Sequence, residues 1–242
     1  MQKLFTLGCS FTAEYAPIGQ DNYISNYDRY KEWKGGYLPD VWPTLLGKML
    51  GCETVNLAGA GGSNYKMIHS FIDNFDSMEE NDIVIIGWTG VERFFMIDYE
   101  EGYYVNVAAM TIVDNPYISV STQEEILFNR THPFYAQEIR NQINFLIKIA
   151  ELKKIKLYNW TSDDRIFSKL SDFVDEKNYI LPPIETDYIN LIQYINNKDF
   201  YGGEQLGTIE GETRGVIPDC HLGELGHKTQ AEFFYKHITK YL

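Results

Sequence analysis

The run Ile83-Val84-Ile85-Ile86-Gly87-Trp88 narrows the choice of folds more than any other stretch of this chain. It is unbroken by polar residues and bracketed by the turn formers Asn81-Asp82 and Thr89-Gly90. A strand with one wet face alternates apolar and polar residues, whereas a strand without alternation is covered on both faces. Such a strand needs helices above and below its sheet, and the neighbouring segments supply them. Trp42, Leu45, Leu46, Met49 and Leu50 recur at helical spacing, with Pro43 in the first turn and Gly51 as the stop. Met67, Ile68, Phe71, Ile72 and Phe75 form the inner face of a second helix. Shorter apolar runs at Leu4–Leu7 and Glu53–Ala58 precede these two helices. The order strand, helix, strand, helix, strand predicts an α/β fold whose parallel sheet has right-handed crossovers.

Beyond Trp88 the pattern weakens. Tyr103–Val107 and Tyr117–Val120 read as the strands of a hairpin, within an insertion spanning about 89–131. Pro133 opens a helix with an Ile139, Ile143, Leu146, Ile147 and Ala150 stripe, and Lys156–Trp160 reads as the next strand. Residues 161–217 are mixed, with Pro182-Pro183 splitting two short helices. A closing helix carries Ala231, Phe234, Tyr235 and Ile238. No repeat and no linker divides the chain, and 242 residues suit a single domain, 1–242.

The formal net charge is −13, with no Lys/Arg cluster to interrupt it. Nucleic acid is therefore not an expected partner, since a phosphate backbone would be repelled. No run of 18 apolar residues exists, so no membrane span is expected. The start Met1-Gln2-Lys3 enters a strand at once, without an apolar signal region. The expected location is the cytoplasm, or a virus particle if the chain is phage-encoded. Cys9, Cys52 and Cys220 are odd in number and lack metal-ligand spacing, which points to a reducing compartment and away from a disulfide framework.

Chemistry gathers beyond the carboxyl ends of parallel strands. Gly8-Cys9-Ser10 stops the first strand there, and a glycine at that point permits a tight turn that presents Ser10 as a candidate nucleophile. Two more loops leave the same edge, Gly59–Asn64 and Gly87–Gly90. Asp219-Cys220-His221 stands just before the closing helix. An imidazole such as His221 titrates near neutrality and can take the serine proton. A carboxylate such as Asp219 can hold that ring in the useful tautomer. Backbone donors in the glycine loop can receive an oxyanion.

These residues resemble the SGNH/GDSL hydrolases. Gly8-Cys9-Ser10-Phe11-Thr12 is similar to the family's first block, Asn56–Asn64 to its second, and Pro218–Gly226 to its last. "GCSFT" near the start and "HLGELGH" near the end resemble compact members found in phage and bacterial genomes. The resemblance implies a three-layer α/β/α sandwich around a flavodoxin-like parallel sheet. It also implies hydrolysis of a carboxylic ester through an acyl-enzyme, including acetyl groups on glycans. Carried across, it makes Ser10 the nucleophile, His221 the base and Asp219 the acid. The oxyanion hole falls on Ser10, Gly61 and Thr89. Trp88, Asn64 and Tyr15 are the candidates for touching a small ester or acylated glycan. No cofactor and no metal is expected.

Three departures stand out. Cys9 replaces the family's aspartate, Thr89 stands where an asparagine is usual, and Asp219 lies two residues before His221 instead of three. A catalytically silent binding or structural module of the same shape is the alternative they leave open. Plainer readings also stand beside several residues. Tyr15, Tyr23, Tyr27, Tyr30, Trp33 and Tyr37 suit either a glycan-facing wall or a loop packed on the domain. Cys9 and Cys220 read as small packed side chains. His227 is expected on the surface of the last helix, although Asp219, His221 and His227 together form a conceivable metal set. Gly59-x-Gly61 resembles a dinucleotide fingerprint, against which Asn64 occupies the third glycine's place.

Overall fold

A computed structural model describes residues 1–10, 12–14, 35–59, 62–89, 93–97, 104–108, 121, 124, 133–161, 174–180, 222 and 224–242. Four strands form one parallel sheet: β1 (Lys3–Leu7), β2 (Glu53–Asn56), β3 (Ile83–Trp88) and β6 (Lys156–Thr161), in the order β2-β1-β3-β6. A single parallel bridge between Asn159 and Tyr179 extends this order one position past β6. The helices are α1 (Trp42–Leu50), α2 (Asn64–Asn74), α3 (Pro133–Lys153) and α4 (Glu224–Tyr241).

The period-two side-chain alternation of a strand sorts the core into two layers. Phe5, Leu7, Val84, Ile86 and Leu157 point to one face, against Met67 and Phe71 of α2 and Ile143 and Leu146 of α3. Leu4, Ile83, Ile85, Tyr158 and Trp160 point to the other, against Trp42 and Leu46 of α1 and Phe234 and Ile238 of α4. The architecture is a three-layer α/β/α sandwich, as expected. On the α1/α4 side, Trp42 meets Phe234 edge-on with ring centroids 4.7 Å apart, and Trp160 lies 5.5 Å from the same ring. Such pairs add about 0.5–1.5 kcal/mol each beyond the area they bury.

β5 (Tyr104–Ala108), which matches one strand of the expected hairpin, pairs antiparallel with β4 (Arg93–Ile97); the other expected strand, Tyr117–Val120, lies outside the described residues. Arg93-Phe94-Phe95-Met96-Ile97 lacks the alternation that marks a half-exposed strand, so its pairing was not legible locally. Among the described residues no helix is long and apolar enough to cross a membrane.

The amino-terminal end of the sheet, opposite the glycine loops, is tied by Asp82. This carboxylate is buried; Oδ1 accepts from Lys3 N–H at 2.8 Å and Oδ2 from Glu79 N–H at 2.9 Å. Hydrogen bonds to a charged group contribute about 1.5–3 kcal/mol each. Asp82→Ala should therefore lower unfolding stability by about 3 kcal/mol in urea titrations. A loss under about 1 kcal/mol would show that these bonds are replaceable. Burial, followed by the charge of Asp82, also raises the Cys52 thiol above its ordinary value, against a smaller opposing pull from Lys156. Cys52 is therefore a poor thiolate.

Candidate active site

The sheet order places β2 on one side of β1 and β3 on the other. The chain thus leaves β1 in one direction and later returns past it in the other. The direction switches between the carboxyl ends of β1 and β3, the position where open α/β sheets form their ligand crevice. Ser10 follows β1 at that point, and Thr89 follows β3.

The Ser10 corner is built by close backbone approach. Cys9 C=O accepts from the N–H groups of Thr12 at 2.9 Å and Ala13 at 3.0 Å, turning the chain within a few residues. Gly8 makes room for that turn, since a Cβ there would lie 2.3 Å from Thr12 Oγ1. Cys9 points into the core and is buried, whereas Ser10 stays half-buried at the edge. Cys9 is a packed side chain, as expected.

The glycine loop is bonded onto this corner. Gly59 N–H donates to Gly8 C=O at 3.2 Å, and Gly62 N–H to Gly59 C=O at 3.0 Å. A Cβ on Gly62 would stand 3.0 Å from the carbonyl oxygens of both Gly8 and Gly59. Asn56 reinforces the junction. Its Oδ1 accepts from Thr6 Oγ1–H at 2.9 Å and from Ala58 N–H at 3.2 Å, while Nδ2 donates to Thr12 C=O at 2.9 Å. Sequence reasoning passed over Asn56 as a positioning residue. The available signal was an asparagine ending a strand, where that residue is disfavoured.

Across the crevice, Thr89 is gripped by Asn64, the first residue of α2. Thr89 N–H donates to Asn64 Oδ1 at 2.8 Å, and Asn64 Nδ2 donates to Thr89 C=O at 2.8 Å. Asn64 is 0 % exposed and Thr89 4 % exposed. Trp88 is 1 % exposed, and its indole N–H donates to Asn159 Oδ1 at 2.9 Å. Thr161 Oγ1–H donates to Trp88 C=O at 3.3 Å. Asn64 and Trp88 were expected to touch substrate. In the structure both are buried, and their polar side-chain atoms are bonded to neighbouring elements. Tyr15, Gly61, Asp219 and His221 lie outside the described residues.

His227 corrects a further expectation. It is not on the surface of α4 but buried, and its Nδ1 accepts from Trp42 N–H at 3.2 Å. The first N–H groups of a helix lack intrahelical partners. No side chain at Val41 caps α1, so His227 supplies a cap from a distant element. The bond also joins the first turns of α1 and α4. Since α1 follows β1, α4 too begins at the Ser10 edge of the sheet. Among the described residues, no three His, Cys, Asp or Glu side chains gather in a way that could hold a metal ion.

No family model matches the sequence, and no curated protein matches it. Solved structures do resemble the chain in overall path. An acetyl xylan esterase aligns over 98% of this chain and 99% of its own at 12% identity, with a TM-score of 0.47. A GDSL-like lipase from Bacteroides thetaiotaomicron aligns over 100% and 89% at 11% identity, TM-score 0.39. A member of the lipolytic G-D-S-L family from Veillonella parvula aligns over 99% and 100% at 15% identity, TM-score 0.38.

Proposed function

We propose that this chain is a serine hydrolase of SGNH type that cleaves a carboxylic ester, with an O-acetyl group on a glycan as the favoured substrate class. One observation carries the reading: Ser10 sits half-buried at the topological switch point, on a corner to which the glycine loop's backbone is directly bonded. In this reading Ser10 attacks the ester carbonyl. His221 takes its proton and later returns one to the leaving alcohol, and Asp219 orients the imidazole. The Ser10 and Gly61 N–H groups receive the oxyanion. The start of α4 at the Ser10 edge supports this assignment. His221 stands three residues before Glu224, and three residues span at most about 10 Å. The glycan preference rests on the family resemblance and on the aromatic segment that begins at Tyr15.

Thr89 has a restricted part here. Its backbone N–H is already given to Asn64, so only its hydroxyl remains to reach an oxyanion. Thr89→Ala should slow turnover by less than the roughly 10²–10³ that removal of a full donor costs. Steady-state kinetics on p-nitrophenyl acetate measure this, and a loss in that range would make the hydroxyl a direct donor. The reading as a whole is tested by labelling with a fluorophosphonate serine probe, followed by peptide mapping. The label is expected on the peptide carrying Ser10. A folded chain that takes no label there would be a binding module of the same shape.

A further inference from the structure

We propose that Asn64 is a positioning residue that sets the aim of the oxyanion hole by clamping the glycine loop to the end of β3. This inference rests on the hydrolase reading above. The loop is anchored at two points five residues apart in sequence. At one, Gly59 N–H is bonded to Gly8 C=O beside the nucleophile corner. At the other, Asn64 is bonded through both amide atoms to the backbone of Thr89. Gly61 lies between these anchors in the chain. The first anchor uses a backbone N–H that every residue type except proline would provide. The second depends on a single side chain.

The clamp has a definite chemical requirement. One atom of residue 64 must accept from an N–H while the other donates to a C=O, and a primary amide does both at once. The Thr89 end of the clamp is itself held firm. Trp88, next in the chain, is tied to β6 through Asn159 and Thr161. Asn64 is therefore gripping a rigid point. Ser63 caps α2 through Lys66 N–H at 3.3 Å, so Asn64 is not needed as the helix cap.

The test uses Asn64→Asp and Asn64→Ala in the full chain. kcat is normalised to Ser10 sites titrated with the fluorophosphonate, and thermal unfolding is followed in parallel. A carboxylate in Asn64→Asp would face the Thr89 carbonyl with no proton to give. Burial favours the neutral form of that introduced carboxyl, and once protonated it restores the lost donor. Misplacement of a reacting constellation by about 1 Å can cost on the order of 10² in rate. At pH 8, kcat of Asn64→Asp is therefore expected to fall about 10²-fold with KM within about twofold. The variant-to-parent ratio of kcat should then rise at least about tenfold towards pH 6. Taking the ratio cancels the titration of the parent's own base. Asn64→Ala should lose kcat without that recovery. If the alanine variant does not fold, the isosteric aspartate variant alone carries the test, through its pH ratio.

A normalised kcat within about twofold of the parent at every pH, in a folded variant, overturns the positioning role while leaving the hydrolase reading intact. A ratio that stays flat with pH while the unfolding temperature recovers in acid also overturns it, because stability alone would then be what the clamp supplies. A parent chain that neither labels at Ser10 nor hydrolyses p-nitrophenyl acetate removes the hydrolase reading, and the positioning role with it.

Discussion

Ser10→Ala should abolish hydrolysis of p-nitrophenyl acetate, with kcat falling about 10⁶-fold, as when a serine hydrolase loses its nucleophile. Cys9, the adjacent alternative nucleophile, cannot take over, because it points into the core and is buried. The fold should survive intact. The turn at this corner is closed by Thr12 and Ala13 N–H groups on the Cys9 carbonyl, which the substitution does not touch. Gly8 and Gly62 make the close approaches, and neither depends on the serine side chain. Stability should change by no more than about 0.5 kcal/mol, the usual range for a substitution that leaves packing alone. Unfolding by urea and activity measured on the same preparation separate the two effects. A variant as active as its parent would show that Ser10 is not the nucleophile.

The second large effect is expected at Asp219 and His221. His221→Ala should be as severe as loss of the serine, about 10⁶-fold, since catalytic residues that act as a unit fail together. Asp219→Asn should cost about 10⁴, through loss of the tautomer that the carboxylate enforces. The two-residue spacing from Asp219 to His221 makes this the sharper test. If Asp219→Asn costs tenfold or less while His221→Ala remains severe, the site is a Ser10–His221 dyad and another group orients the ring. Glu224, which accepts from Tyr37 Oη–H at 3.3 Å at the start of α4, is the first alternative to test.

Stability and activity should separate along the sheet. Asp82 ties the amino-terminal ends of the strands, whereas Asn56 and Asn64 tie the carboxyl ends around the crevice. Asp82→Ala should destabilise the chain without altering kcat per folded molecule. The asparagine clamps join the loops on which the chemistry depends.

Periodicity was enough to define the layers. The unbroken run at Ile83–Trp88 required cover on two faces, and the stripes of α1, α2 and α3 were present in the spacing of their apolar residues. These features are legible because the helix and strand periods are local and burial acts on each residue separately. His227 was half-legible. It lies four residues before Ala231 and seven before Phe234, on the buried stripe of α4, but its polarity argued for the surface. Its partner, Trp42 N–H, is 185 residues away. The positions of Asn64 and Trp88 at the carboxyl edge of the sheet were likewise legible, whereas their burial was not. Their partners stand 25 and 71 residues away, in Thr89 and Asn159. A polar side chain at a sheet edge can serve a ligand or a neighbouring backbone, and its identity is the same in both cases. Only the approach of the second element decides, because a hydrogen bond requires its partner within about 3 Å and correctly aligned.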